Sequence, residues 1–240
     1  MTERTPLVHH VGHEDHRGIG GGQARAAVFG FSDGLVSNVS LVLGVAGSSA
    51  GADFVRLAGV AGLVAGAVSM AAGEYVSMQA QRELLERELA IERRELARNP
   101  EAETRELAGI YRSRGVAAET AQTLAEEMMR DPEVALEVHA REELGVDPSD
   151  LGSPVGAALA SLAAFASGAL IPVVPWFFAS GTAAIVLSLV LGLVAALAAG
   201  AILGVVTERS RVRSALRQAG IMIGASAVTY AIGAAIGVSV

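Results

Sequence analysis

Long apolar stretches separated by short polar connectors make up most of the chain. Two precede residue 82 and three follow residue 150, at about 26–47, 54–78, 154–174, 181–206 and 215–238. Each is long enough to cross a bilayer as a helix at ~1.5 Å of rise per residue. Because a spanning helix satisfies its own backbone hydrogen bonds, the pattern predicts an all-α membrane protein with five helical spans.

A different, polar and helix-forming pattern occupies residues 82–150. Asn99 and Asp131 are each followed by proline, which fits an N-cap and a first helical position, and Gly145 fits a helix end. No helix breaker precedes residue 82, so we expect one long helix to leave the membrane and enter this segment. The predicted divisions are a disordered tail at 1–24, spans 1–2 at 25–81, an inserted helical metal-binding domain at 82–150, and spans 3–5 at 151–240.

Composition and charge indicate a function for the segment at residues 82–150. The chain is 52% hydrophobic and 18% charged, as membrane proteins are. Residues 82–150, called the acidic block below, nevertheless hold 18 of the 25 carboxylates against 10 arginines. We therefore expect the acidic block to collect divalent cations for a pore next to it.

The available ligand types limit the metal. The chain has no cysteine, so carboxylates, histidines, thioethers and backbone oxygens remain, and these favour harder cations such as Fe(II) or Mn(II). Zn(II) and Co(II) are expected only as surrogates for the transported ion. No resident cofactor and no nucleic-acid partner is expected.

The arginines predict the orientation in the membrane. The connectors at 47–54 and 172–181 carry none, although Trp176 in the second is expected at the membrane interface. The connector between the last two spans carries four: Arg209, Arg211, Arg213 and Arg217. The positive-inside rule puts this connector, the N-terminus and the acidic block in the cytoplasm, and the C-terminus outside.

The N-terminal tail holds four of the five histidines: His9, His10, His13 and His16. They fit a loose metal-capturing segment, but we prefer the simpler interpretation of incidental residues in a solvated tail. The tail is too polar for a secretory signal, and we expect an integral protein of a bacterial plasma membrane.

Asp33 is the first candidate for ion conduction. A carboxylate inside a span costs ~2.5–3.5 kcal/mol on insertion scales and usually faces a cavity. Asp33 and Met70 each lie about eight residues from the cytoplasmic end of their span, so we expect them at similar depth, where they could dehydrate a transition metal. Glu74, one turn from Met70 on the same helix face, is a candidate relay to the acidic block. The alternatives are an aspartate that only forms hydrogen bonds and a methionine that only packs.

Other polar residues in the first two spans are predicted to join helices rather than to bind metal. They are Ser37, Asn38, Ser69 and Ser77. Hydroxyl and amide groups inside spans commonly form hydrogen bonds between helices.

Six residues of the acidic block are candidate metal ligands. They are Glu92, Glu95, Glu103, Glu106, His139 and Glu143. The first four of these residues form two ExxE pairs, and each pair lies on one helix face. The predicted break between the two helices at Asn99 would let the pairs meet. Converging carboxylates repel one another unless a cation binds, so we predict a metal cluster. The simpler alternative, a solvated face with salt bridges, suits any ExxE pair taken alone.

Three stretches resemble the vacuolar iron transporter family: FSDGLVSNVSLVLGVAG at 31–47, GLVAGAVSMAAGEYVS at 62–77, and REELG at 141–145. The resemblance extends from Ala26 to Val240. It implies a homodimer of five-span subunits, with the pore at their interface, that exports Fe(II) or Mn(II) from the cytosol against protons. It also implies that Asp33 and Met70 form the ion site within the membrane.

The resemblance also implies cytoplasmic ligand roles for Glu92, Glu95, Glu103, Glu106 and Glu143. Two departures accompany it. Some eukaryotic members have a glutamate where this chain has Gly62, and Glu74 could compensate for its loss. Paired methionines of those members are replaced by His139 and Ala140, a harder ligand set that favours Mn(II).

The leading hypothesis is a transporter, not an enzyme, that exports Fe(II), Mn(II) or both from the cytoplasm by proton antiport. One alternative is a membrane-tethered di-iron ferroxidase. Di-iron sites in helical bundles use two ExxH motifs, which this chain lacks because Glu137 and His139 are only two apart. The other alternative is a membrane-anchored metal buffer or sensor without transport, against which Asp33 inside a span argues.

Overall fold

The computed structural model describes residues 22–237, so the N-terminal histidines lie outside the described residues. Eight α-helices form this range: α1 Gly22–Gly47, α2 Ala52–Arg98, α3 Pro100–Ser113, α4 Ala118–Met128, α5 Pro132–His139, α6 Pro154–Val173, α7 Gly181–Val206 and α8 Arg211–Gly237. A π-helical turn, Ala140–Leu144, follows α5, and a 3₁₀ turn, Val174–Phe177, follows α6. No strand occurs in residues 22–237, and the all-α prediction is confirmed.

Five of these helices are long and apolar enough to span a membrane: α1, α2, α6, α7 and α8. The predicted number of spans is confirmed. Helix α1 contacts the other four, and its Leu35, Val39 and Leu43 form a buried core with Ala196 of α7 and Met222 of α8. Helix α1 is therefore the central helix of the bundle, and its polar residues Asn38 and Ser40 are buried.

Glycines let α1 and α6 approach each other closely. A Cβ atom on Gly34 would collide with the backbone of Phe165, and one on Gly168 would collide with the backbone of Phe31. Larger residues at these positions would force the helices apart. Because Asp33 adjoins Gly34, this contact fixes the part of α1 that carries the carboxylate.

Helix α2 is unbroken over 47 residues, or ~70 Å at standard helical rise. Its first half packs against α1 and α6, and its second half packs against α3 and α5 of the acidic block. This is the long helix that the sequence predicts. It holds Met70 and Glu92 in one continuous element.

Two apolar contacts fold the acidic block. Leu107 and Tyr111 of α3 pack against Ala121 of α4, and Leu89 of α2 packs against Leu136 of α5. These contacts bring α3 and α5 alongside the second half of α2, where the candidate ligands lie.

The predicted helix boundaries of the acidic block hold, although the two N-caps differ. The Asp131 carboxylate accepts hydrogen bonds from the backbone N–H groups of Glu133 and Val134. Asn99 occupies the N-cap of α3, but its side chain forms no capping hydrogen bond. Gly145 ends the π-helical turn with φ at 68°, a left-handed conformation that glycine adopts readily.

Trp176, which the sequence predicts at the membrane interface, is buried within the protein just after the end of α6. Its side chain is 3% exposed, and its indole N–H donates to Ser188 Oγ at 3.0 Å. The Ser188 hydroxyl in turn donates to the carbonyl of Pro172. The only polar group of the indole is therefore bonded inside the protein, where it joins α6 to α7.

Candidate metal centres

The structure brings the six candidate ligands of the acidic block into one group, called the glutamate–histidine cluster below. At its buried centre, one ligand atom each from Glu92, Glu103 and His139 lie within 4.8 Å of one another. Glu95, Glu106 and Glu143 lie around this centre, close enough to raise the pKa of the buried glutamates. The cluster therefore has three buried groups and a rim of exposed carboxylates.

Four elements from two parts of the chain supply the cluster. Helix α2 carries one ExxE pair and α3 the other, and the chain reverses between them at Asn99. His139 is the last residue of α5, and Glu143 lies in the π-helical turn that follows. π-helical turns are rare and occur often at functional sites. This one brings a carboxylate to within 3.9 Å of the His139 ring, measured from Glu143 Oε2 to His139 Nδ1.

His139 is fully buried among these carboxylates. Its Nδ1 lies 3.1 Å from Glu92 Oε1 and 4.0 Å from Glu103 Oε2. The 3.1 Å pair is not aligned as a hydrogen bond, and neither ring nitrogen has a hydrogen-bond partner among the described residues. Burial lowers the pKa of His139, so the ring is neutral near pH 7 and one nitrogen carries a free lone pair. A neutral buried imidazole of this kind is a suitable metal ligand.

Ionisation of the buried glutamates is unfavourable without a cation. Burial, and then repulsion from Glu143, Glu103, Glu95 and Glu106, raises the pKa of Glu92 to about 7. The pKa values of Glu103 and Glu143 are also raised, in each case first by burial and then by neighbouring glutamates. Within residues 22–237, no arginine lies at ion-pair distance from Glu92, Glu103 or Glu143. A divalent cation would supply the missing positive charge.

Nearby arginines pair with acids outside the cluster. Arg141 binds Glu137 and Asp147, each at 2.8 Å, and Arg114 pairs with Glu142. These ion pairs tie the π-helical turn to the rest of the acidic block. They also occupy the arginines that would otherwise neutralise the cluster.

A second group of polar residues lines a cavity of about 360 Å³ between α1 and α2, called the span cavity below. Its lining includes Asp33, Ser37 and Asn38 of α1 and Gly62, Gly66, Ser69 and Met70 of α2. Asp33 and Met70 thus line the same space from different helices, in agreement with the depth expected from the sequence.

Ser37 and Asn38, which line the span cavity with Asp33, form different kinds of hydrogen bond: one within a helix and the other between helices. The Ser37 hydroxyl donates to Asp33 Oδ1 at 3.1 Å, so this bond lies within α1 and the predicted role of Ser37 between helices is wrong. Asn38 does join helices, because its Nδ2 donates to the carbonyls of Gly59 in α2 and Ala169 in α6.

Glu74 does not line the span cavity, although it lies one turn from Met70. It forms an ion pair with Arg25, with Nη2 and Oε1 3.5 Å apart, and this pair joins the start of α1 to α2. Sequence reasoning did not identify Arg25 as a functional residue. The available signal was an arginine and a glutamate in adjacent spans, both predicted at the cytoplasmic side.

Comparisons with known proteins identify a family and several relatives that this chain resembles. The profile of the VIT family matches residues 24–234. The chain is similar to a vacuolar iron transporter of Acanthamoeba castellanii, with 40% identity over 153 residues, or 64% of this chain and 55% of that protein. It is also similar to vacuolar iron transporter 1 of Oryza sativa subsp. japonica, with 31% identity over 171 residues, or 71% of this chain and 68% of that protein. Vacuolar iron transporter 1 of Arabidopsis thaliana is 29% identical over 174 residues, or 72% of this chain and 69% of that protein.

Proposed function

Because this chain belongs to the VIT, or vacuolar iron transporter, family, we propose that it moves Fe(II), Mn(II) or both out of the cytoplasm. The observation that carries this proposal is the span cavity, in which a carboxylate and a thioether meet inside the membrane-spanning helices. Asp33 supplies a hard oxygen donor and Met70 a soft sulfur donor, a pair that suits borderline divalent metals.

The acidic block collects the metal in this mechanism. The glutamate–histidine cluster offers carboxylate oxygens and one neutral imidazole, and within residues 22–237 no arginine lies at ion-pair distance from its buried glutamates. All six residues of the cluster serve as ligands, with the buried three at the centre. Glu74 lies between the block and the span cavity, where an arriving cation competes with Arg25 for its carboxylate.

The direction of transport follows from the proposed orientation. Arg25 and Thr207 line the same cavity, so the α7–α8 connector lies at the same end of the bundle as the start of α1. The four arginines at or just after this connector form no ion pair with the described acids, and the positive-inside rule assigns them to the cytoplasm. Metal collected there leaves through the spans. A carboxylate such as Asp33 that binds metal and proton alternately would couple the two flows as an antiport.

A homodimer completes the pore in this proposal. Ser37 and Ser69 line the span cavity but are exposed on the surface of a single subunit. Polar groups at the middle of a membrane rarely face lipid. A second copy of the chain that covers this surface would remove the polar groups from lipid and enclose the cavity.

Metal flux into reconstituted liposomes tests the site. Asp33→Asn keeps the side-chain shape and removes the charge, so we expect Fe(II) and Mn(II) flux to fall to the level of protein-free liposomes. Asp53→Asn is the matched control, because Asp53 is an exposed carboxylate in the first turn of α2 that pairs with Arg56. Metal flux through this variant should equal that of the wild type. Full flux in Asp33→Asn would refute the site.

The same preparation separates the other functions. Wild-type protein that binds Mn(II) but gives no flux would be a buffer or sensor, and oxygen-dependent Fe(II) oxidation would indicate a ferroxidase. Flux that responds to an imposed pH gradient supports proton antiport, whereas flux that is indifferent to the gradient excludes it.

A further inference from the structure

Asn38 is held by its amide nitrogen at the contact of three helices. Its side chain is 2% exposed, and Nδ2 donates to the carbonyl of Gly59 at 3.2 Å and to that of Ala169 at 2.6 Å. Both N–H bonds of the amide are therefore used. Because the amide group is planar, two fixed donors also fix the direction of the remaining oxygen.

That oxygen, Asn38 Oδ1, is buried and has no hydrogen-bond partner among the described residues. It lies 2.9 Å from the place that a Cβ atom on Gly62 would occupy. Gly62 and Asn38 both line the span cavity with Asp33 and Met70. The oxygen thus lies on the cavity side of the helix contact, and glycine at position 62 adds no side chain of its own to the space in front of it.

A buried carbonyl oxygen without a partner is unfavourable. The side chain of Leu41 contacts the same space beside Gly62 and shields the oxygen in this conformation. Leu41 is 37% exposed, so its side chain has room for a change of rotamer that would uncover the oxygen without moving a helix. An amide oxygen is a common ligand of hard and borderline divalent cations.

We propose that Asn38 Oδ1 is a third ligand of the cation in the span cavity, together with Asp33 and Met70. This inference rests on the proposed function. The two hydrogen bonds to α2 and α6 orient the ligand before the cation arrives, which reduces the entropy lost on binding. A neutral oxygen also adds coordination without a second negative charge inside the membrane.

Infrared spectroscopy can observe this single oxygen. The chain contains only two asparagines, Asn38 and Asn99. Asn99 forms no side-chain cap, so Asn99→Ser should keep the fold and leave Asn38 as the only asparagine. The variant is made by cell-free synthesis with asparagine carrying ¹³C at Cγ and is placed in lipid nanodiscs. We expect Mn(II) to shift the ¹³C carbonyl band to lower frequency, and Asp33→Ala, which adds no further labelled asparagine, to abolish the shift.

Transport kinetics distinguish a ligand from an anchor. Asn38→Ala should raise the KM for Mn(II) at least tenfold and remove the rise in melting temperature that Mn(II) produces in a background with Glu92→Gln. A residue that only joins helices would lower the melting temperature equally with and without Mn(II) and leave KM unchanged. Ser226→Ala is the control, because the buried Ser226 hydroxyl on α8 has no hydrogen-bond partner within residues 22–237 and does not line the span cavity.

The outcomes decide between the two proposals. Flux without a ¹³C shift overturns the ligand role of Asn38 and means that water alone satisfies Oδ1. This outcome does not depend on Asn38→Ala, so it decides the question even if that variant fails to fold. A ¹³C shift that depends on Asp33 in a protein without flux supports the ligand role and overturns transport instead.

Discussion

Glu92 is 5% exposed and lies beside four other glutamates. Its pKa of about 7 in the folded protein exceeds the ordinary value of 4.5, so between these two pH values the folded state binds more protons than the unfolded state. The free energy of unfolding of the metal-free protein should therefore fall as pH rises from about 4.5 through 7, by up to about 3 kcal/mol for this group. We expect the melting temperature without metal to be lower at pH 7.5 than at pH 5.5.

Bound Mn(II) should reverse this dependence, because it replaces the proton on Glu92. Glu92→Gln removes the charge, so it should stabilise the metal-free protein at pH 7.5 and weaken Mn(II) binding by at least tenfold. Thermal unfolding of the full chain with and without Mn(II) measures both effects. Glu101→Gln, at an exposed carboxylate of α3 outside the cluster, should change neither. A Glu92→Gln variant that binds Mn(II) like wild type would contradict the ligand assignment.

The sequence predicts these residues but not their different environments. Spacing alone places Glu92 with Glu95 and Glu103 with Glu106 on shared helix faces. It does not reveal that the first member of each pair is buried and the second exposed. That difference depends on α5, which places His139 against Glu92, although the two residues are far apart in the chain.

At the scale of single helices, the two N-caps of the acidic block provide a matched test. Asp131→Ala removes the hydrogen bonds that begin α5, and we expect a loss of ~1 kcal/mol in stability and weaker Mn(II) binding, because α5 ends at His139. Asn99→Ala should cost much less, since Asn99 forms no capping hydrogen bond. Hydrogen exchange of the α5 amides measures the difference. Equal protection in both variants would show that the Asp131 cap does not stabilise α5.

Most helix boundaries could be predicted because Asn-Pro, Asp-Pro and terminal glycine act locally. The π-helical turn Ala140–Leu144 could not, because its sequence is equally compatible with an α-helix. Tertiary contacts favour it, above all the ion pairs from Arg141 to Asp147 and from Arg114 to Glu142. A helical pattern contains no information about partners from other segments.

For the whole molecule, the proposed dimer makes a prediction about proximity. The chain has no cysteine, so single-cysteine variants need no other change. In membranes, Ser69→Cys should give a covalent dimer with bismaleimides of graded length, because Ser69 lines the exposed span cavity that the second copy covers. Val186→Cys on α7, also exposed but surrounded by apolar residues, should remain monomeric. Equal crosslinking of both variants, or none of Ser69→Cys, would contradict the proposed interface.

The five spans could be predicted from length and apolar character alone. The surface between subunits could not be predicted in the same way. Helix α7 is apolar on nearly every side, so hydrophobic periodicity does not distinguish lipid from a partner. On α1 and α2, polar residues in otherwise apolar helices indicate a special face, and packing decides which of them, such as Asn38, become buried.

The unbroken course of α2 also determines how the two metal centres communicate. Glu92 lies 22 residues beyond Met70 on the same helix, a separation of ~33 Å that no side chain can bridge. In the proposed mechanism, metal therefore cannot pass directly from Glu92 to Met70 and travels as a free ion for most of this distance, with Glu74 as a relay near its end. An ion released within that radius has a local concentration on the order of 10 mM. If the proposed function is correct, the acidic block would act as a reservoir that keeps the entrance supplied when free metal in the surroundings is scarce.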